Sequence, residues 1–394
     1  MNIEFSDEYA DDQDEIPEKQ FRSDVVMFST DWTTETILGQ LEKKNIDIDP
    51  QFQRRDAWDI TKKSRFIESI MLGLPIPQLV LAEKISQRGK YLVLDGKQRL
   101  TTLIKFIGLG DKTGNNFKLS NLQVLKKLNG RTYSDLINDI ELTDDLNQFQ
   151  NHTIRSVVIR NWSDNDMLNM IFVRLNTGSV QLSPQELRQA LYPGSFTEWA
   201  DSFTSDSVPL KKLLNSNEPD FRMRDIEIFV RFIGFAKLIK EYSGDMKKFL
   251  DQTCDTFNKK WDEQHDEIKT LSKEFEKGID AGFKIFDRNF SRKWKGTETE
   301  RNLNRAILDV MLFYLSDIKY RELLVNNADS VRDAFQNLCN NDPNFRTSIE
   351  TTTKSLSATY TRFSTWGKTL RKILSINIPI VERDQFGKLF TIDI

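Results

Sequence analysis

The sequence predicts an α+β domain followed by an all-α domain. Three observations carry that expectation. In the first half, apolar residues mix the two-residue period of strands with the 3.6-residue period of helices. Beyond about residue 205 only the helical period persists, and 394 residues exceed what one domain usually holds. The boundaries that follow are an N-terminal segment over 1–22, an α+β domain over 23–205 and a helical domain over 206–394.

The N-terminal segment is set apart by charge. Residues 1–24 hold nine acids against Lys19 and Arg22, so the net charge of −3 hides a remainder of +4. A block of like charge with few apolar residues reads as a disordered acidic tail, a solvated terminus or a nucleic-acid mimic.

Elements then follow in order. Ile37, Leu38 and Leu41 share one face of a helix over 33–45, and Ile46-Asp47-Ile48 alternates like a short strand. Asp59 can cap a helix running to Leu72, with Phe66, Ile67, Ile70 and Met71 three or four apart and Gly73 as its stop. Pro75 and Pro77 force an extended chain. Gln78–Glu83 and Tyr91–Asp95 are short apolar runs around a polar turn, read as a hairpin or neighbouring strands. Gln98–Ile107 is a helix with Leu100, Leu103, Ile104 and Ile107 inward. Thr153–Arg160 is a strand and Asp164–Asn176 a helix. Ser183-Pro184-Gln185-Glu186 opens another helix with a capping box and a proline in its first turn. In the second half, helical periods run over 225–242, 246–261, 268–286, 298–316, 331–339 and 351–374.

Composition narrows the function classes. Hydrophobic residues at 38% and charged residues at 29% describe an ordinary globular protein, and 27 Phe suit helical cores. Two cysteines, Cys254 and Cys339, and two histidines, His152 and His265, are too few for a structural zinc site or a disulfide framework. The start lacks a signal-peptide pattern, and the most apolar window, Ile226–Ile239, is broken by Arg231 and Lys237. A cytoplasmic protein with no membrane association is expected.

The chemistry centres on Asp95-Gly96-Lys97-Gln98-Arg99, where a strand ends in a carboxylate, turns at a glycine and enters a helix with two cations. Physically this is a phosphate cradle. Glycine lets backbone N–H groups approach an anion, the helix N-terminus adds about half a positive charge, and Lys97 and Arg99 add full ones. Asp95 is placed to hold a hydrated magnesium ion or to orient an attacking water. The same residues also fit an ordinary strand-to-helix turn, with Asp95 as N-cap and both cations in solvent.

Two further clusters read in the same way. In Gln51-Phe52-Gln53-Arg54-Arg55-Asp56-Ala57-Trp58, aromatics flank arginines whose planar forks suit phosphate oxygens, or else Phe52 and Trp58 simply anchor a surface loop. In Phe172-Val173-Arg174-Leu175-Asn176-Thr177-Gly178, either Arg174 and Asn176 face a ligand or Asn176 only caps a helix.

These segments stand in a telling order. Phe52-Gln53-Arg54 with Trp58 comes first, then Phe66 to Gly73 with Pro75 and Pro77, then Asp95 to Arg99, then Phe172 to Gly178 with Leu182 to Tyr192. In that order, over roughly residues 25–200, the chain resembles the N-terminal domain of the GmrSD family of modification-dependent restriction systems. The resemblance implies a ParB/sulfiredoxin-like fold that binds and hydrolyses GTP or another NTP such as ATP with Mg2+, coupled to recognition or cleavage of foreign, often modified, DNA. It implies nucleotide contacts for Gln53, Arg54, Gly96, Gln98, Arg99 and Asn176, and catalysis or metal positioning for Asp95. The family usually has Gln where Lys97 stands; lysine still favours phosphate, so binding is expected to survive with an altered nucleotide preference.

Many relatives carry a C-terminal HNH-type nuclease, whose histidines serve as base and metal ligand. Here His265 stands alone, so no such domain is expected. Glu267-Ile268-Lys269 imitates a nuclease E-x-K inside a helical pattern. A basic stretch with interleaved aromatics, Arg288, Phe290, Arg292, Lys293, Trp294, Lys295, Arg301 and Arg305, suits DNA phosphates and stacked bases, or is a charged helix–loop–helix surface. The leading expectation is an NTP-hydrolysing sensor subunit of a prokaryotic defence system, with DNA and a separate effector or nuclease as partners and an oligomer within reach. The alternatives are a non-hydrolysing ParB-like DNA-binding module and a self-contained ParB-like nuclease.

Overall fold

The structure is a computed structural model that describes residues 25–48, 58–85, 87–109, 117–162, 167–168, 171, 183–351 and 353–392. The acidic segment 1–22 lies outside the described residues. The chain divides between Leu191 and Tyr192 into two compact units.

The first unit is built on a five-stranded sheet. Its strands are β1 (Val26–Thr33), β2 (Ile46–Asp47), β3 (Leu79–Glu83), β4 (Tyr91–Asp95) and β5 (Thr153–Arg160), in the order β1-β5-β3-β4-β2. β1 runs antiparallel to β5, β5 parallel to β3, β3 antiparallel to β4 and β4 parallel to β2. Both central strands are apolar on two faces because helices cover both. Leu79, Leu81, Tyr91 and Val93 join one core with Ile37, Phe66, Ile67, Leu100, Leu103 and Phe149. Val80, Ala82, Leu92 and Leu94 join the other with Trp162, Met167, Leu168 and Leu187.

The helices of this unit begin where local chemistry satisfies their free N–H groups. Thr33 caps α1 (Thr34–Glu42) and Asp59 caps α2 (Ile60–Met71), its carboxylate 2.7 Å from the Lys62 N–H. Then come α3 (Lys97–Ile107), α4 (Tyr133–Asn138), α5 (Thr143–Asn151) and α6 (Pro184–Leu191). Ser183 and Glu186 close the expected capping box on α6: each backbone N–H donates to the other's side chain, at 2.7 and 3.1 Å. β1 was not expected. It lies on the outer side of β5, and its side chains are mostly half-exposed or exposed, so no buried stripe marks it in the sequence.

The second unit is helical: α7 (Ser195–Asp206), α8 (Val208–Leu213), α9 (Arg224–Leu238), α10 (Met246–Lys259), α11 (Trp261–Phe286), α12 (Arg305–Leu315), α13 (Ile318–Asn326), α14 (Ala328–Asn341), α15 (Pro343–Glu350) and α16 (Leu356–Leu374). Its core is aromatic. Phe203, Phe229, Phe232 and Phe275 meet at ring-centroid distances of 4.9–6.4 Å, and Phe235 packs on Tyr242, Phe249 and Phe363. Several details differ from expectation: α8, α13 and α15 fall outside every expected segment, and α16 begins at Leu356 and not at 351. The helix expected from 298 begins at Arg305, because Asn304 caps it and residues 293–300 fold back through a Trp294–Thr299 bridge. A hairpin, β6 (Ile380–Arg383) with β7 (Leu389–Ile392), follows the last helix, each strand too short to show a period. Among the described residues no helix is long and apolar enough to cross a membrane.

Candidate nucleotide site

β4 delivers Asp95 to the end of the sheet, and a bulge between Val80 and Leu81 interrupts the ladder beside it. Such irregularities re-aim side chains next to sites. Gly96 follows with φ 100° and ψ 10°, a left-handed conformation, and is itself the N-cap of α3. Asp95 is therefore not the cap. Its Oδ1 accepts the Gly96 N–H at 2.7 Å, and its Oδ2 accepts Arg99 Nη2 at 2.9 Å.

Neither cation of the motif points into water, as the ordinary-turn reading required. Arg99 is 7% exposed, and its Nη2 also donates to the Gln78 carbonyl at 3.1 Å. Its Nε is buried with no hydrogen-bond acceptor. Lys97 is equally buried, and its Nζ lies 2.7 Å from Oε1 of Glu186. Gln98, half-buried in the first turn of α3, gives its carbonyl to the Thr102 hydroxyl. Among the described residues, Asp95 thus pairs with Arg99 and Lys97 with Glu186. Gln53, Arg54, Arg174 and Asn176, the other expected contacts, lie outside the described residues.

A groove of about 590 Å3 is lined by Asp31, Leu74, Pro75, Ile76, Gln78, His152, Thr153 and Arg155. Gln78 belongs to both features, lining the groove and giving its carbonyl to Arg99. Burial holds the His152 ring below the usual histidine pKa, so it is neutral at pH 7, and its Nε2 is buried without an acceptor or donor. The sequence reading had missed this groove. Its one signal was the extended chain forced by Pro75 and Pro77.

Among the described residues no three His, Cys, Asp or Glu side chains converge as a metal site. Asp95 supplies one carboxylate at the strand end. That matches magnesium, which is held by one or two carboxylates plus substrate oxygens.

The basic stretch of the second unit is less bare than its sequence implies. Arg288 is exposed in the turn after α11. Arg292 donates to the Arg288 carbonyl at 2.9 Å, and burial holds its pKa below the usual arginine value. Lys293 bonds Glu350, and Lys295 lies 3.2 Å from Glu300. Phe290 is 1% exposed among Phe283 and Phe286, so its ring offers no stacking surface. Arg305 is likewise interior, 3.3 Å from Glu227. Glu267 and Lys269 ride on α11 with Ile268 fully buried between them, and Glu267 bonds Lys237.

Residues 35–193 match the family model of the GmrSD restriction endonuclease, N-terminal domain. The matched span runs from α1 through α6 and includes the turn, Gln78 and Glu186. No curated protein matches the chain.

Proposed function

We propose, from the place of residues 35–193 in the GmrSD restriction endonuclease N-terminal domain family, that this chain is a nucleoside triphosphate-binding and -hydrolysing sensor in a restriction-type defence system. The observation that carries the reading is the convergence of Asp95 and Arg99 on the mouth of a helix through a left-handed glycine. Free N–H groups at a helix start and an arginine fork are both suited to phosphate oxygens.

In this reading Arg99 holds the phosphates, and Asp95 orients a water toward the γ-phosphorus. Attack breaks the bond between the γ-phosphorus and the β,γ-bridging oxygen, giving the diphosphate and inorganic phosphate. Magnesium, carried by the phosphates and held by Asp95, would neutralise charge developing on the leaving oxygen. The groove that shares Gln78 with the turn, lined by the apolar Leu74, Pro75 and Ile76 and by the polar Asp31, His152 and Arg155, is taken as the place of the nucleoside.

Gln53, Arg54 and Asn176 complete the contact set on the strength of the family's motifs, and Arg174 joins them from its place in the Phe172 to Gly178 segment. In this reading DNA cleavage is left to a separate effector. DNA contact by the second unit falls chiefly to Arg288 and Arg292, because Lys293 and Lys295 are ion-paired.

The test is GTP and ATP turnover with magnesium in the wild type, Asp95→Ala and Arg99→Ala. Loss of turnover in both variants supports the reading; unchanged turnover in both defeats it. Calorimetry adds a second criterion: heat on titrating nucleotide without DNA belongs to a nucleotide site, whereas steeply salt-dependent DNA affinity indifferent to nucleotide belongs to a DNA-binding module.

A further inference from the structure

β1 is the end strand of the five-stranded sheet, so one of its edges pairs with β5 and the other is open. Which backbone groups face outward follows from one hydrogen bond. The Thr34 N–H donates to the His152 carbonyl at 2.9 Å, one step beyond Thr33 opposite Thr153. Bonded pairs alternate along an antiparallel ladder, so Trp32, Thr30, Phe28 and Val26 are the residues bonded to β5. Met27, Ser29 and Asp31 therefore turn both N–H and C=O away from the sheet. Thr33 turns its N–H outward, while its carbonyl opens α1 as the N-cap.

Open edges are normally blunted by short strands, bulges, proline or lysine. β1 has none of these devices. It runs for eight residues in unbroken register with β5, contains no proline or lysine, and carries Asp31 as its one charge. The strand at the other end of the sheet, β2, has two residues. Apolar side chains add to the open backbone of β1, with Met27 64% and Val26 49% exposed.

A second copy of β1, antiparallel across a twofold axis, fits this edge. Outward residues must then stand opposite outward residues, which restricts the register. With the axis at Thr30, Met27 faces Thr33 and Ser29 faces Asp31, so every outward residue is paired. Phe28 then lies opposite Trp32, an aromatic pair at a non-hydrogen-bonded position, where cross-strand side chains come closest. The Ser29 hydroxyl can donate to the Asp31 carboxylate. An axis at Ser29 carries Thr33 past the end of the partner strand, and an axis at Asp31 opposes two carboxylates.

We propose that the open edge of β1 is a homodimer interface, joining two sheets through β1 with Thr30 on the twofold axis, whatever the turn at Asp95 binds. Asp31 also lines the groove, so this pairing sets Ser29 of the partner subunit beside a groove residue.

The experiment is sedimentation equilibrium of the full chain over a wide concentration range. The wild type is expected to reach the mass of two chains. Ser29→Pro removes an outward N–H and no bond to β5, so it should keep the wild-type melting curve and weaken the dimer by about tenfold or more. Met27→Lys, an edge lysine, should do the same. Thr30→Cys reads the register: its thiols meet across the axis within disulfide reach, so diamide should link two chains. Ser29→Cys, which faces Asp31, should not link, and the native Cys254 and Cys339 are buried.

A wild type that stays monomeric throughout overturns the proposal and leaves the edge to a strand from a different protein. A Ser29→Pro chain that dimerises as the wild type does places the interface elsewhere and overturns it as well; should that variant not fold, Met27→Lys decides in its place. A Thr30→Cys chain that links no faster than Ser29→Cys overturns the stated pairing.

Discussion

Leu79 places a methyl group over the face of Gly96 where a side chain would begin: a Cβ there would stand 2.2 Å from Leu79 Cδ2, and 3.1 and 3.2 Å from Nη2 and Nε of Arg99. Leu79 is 1% exposed in the sheet core, so it has little room to withdraw. The glycine also carries a φ of 100° that L side chains rarely adopt. Close packing and backbone conformation therefore require the same residue.

Gly96→Ala should destabilise the first unit by about 1–3 kcal/mol through left-handed strain and overpacking. Because the added methyl presses on the Arg99 guanidinium, nucleotide affinity should fall as well. Equilibrium denaturation and calorimetry on the same preparation check both effects. A variant with wild-type stability and affinity would show that the turn is looser than its geometry implies.

Glu68 gives a pH prediction with a definite sign. On α2 and 4% exposed, it accepts three backbone N–H groups, from Gln123 at 3.1 Å and from Val124 and Leu125 at 2.8 Å. Burial pushes its carboxyl pKa up, but the three donors, with Arg65 nearby, outweigh burial and hold it below the usual 4.5. A pKa lowered by folding means that the carboxylate's stabilisation is complete above the unfolded value and is lost as pH falls through the folded one. Glu68→Gln should cost about 2 kcal/mol at pH 7, the scale of hydrogen bonds to a charged group, and the difference from wild type should shrink below pH 4.5. Denaturation curves from pH 7 to about 3 test this. A gap that stays constant over that range would mean the donors do not favour the ionised form.

Much of the first unit was legible because its signals are local. The Asp59 cap, the Ser183–Glu186 capping box and the apolar run ending in Asp95 each need only a few consecutive residues, and each appears where the sequence put it. The partners of the motif were not legible. Lys97 and Glu186 are 89 positions apart, and Arg99 reaches a carbonyl of Gln78 that carries no side-chain signature. Arg305 shows the same limit in the second unit: in sequence it belongs to a basic stretch, but helical phase turns it inward to Glu227. β1 and the hairpin of β6 and β7 escaped notice because half-exposed edges and four-residue strands leave almost no periodicity.

The helical unit holds its own internal charge pair, and the same desolvation argument predicts how it responds to mutation. Arg231 on α9 meets Asp309 on α12 through two hydrogen bonds, Nε to Oδ1 at 3.0 Å and Nη2 to Oδ2 at 2.6 Å, with both side chains 4% exposed. Glu227 stands 3.7 Å from Arg231 and 3.3 Å from Arg305, extending the pair into a network across the two helices. Removing one member leaves the other buried without its main counter-charge, so Asp309→Leu alone should cost about 3–5 kcal/mol. Adding Arg231→Met to it removes the stranded cation and fills the space with an apolar chain, which should recover much of that loss despite being a second mutation. Denaturation of the wild type, the two single variants and the double variant gives the coupling directly. If the double variant is as unstable as the sum of the singles, Arg231 and Asp309 act independently and the pair does not join α9 to α12.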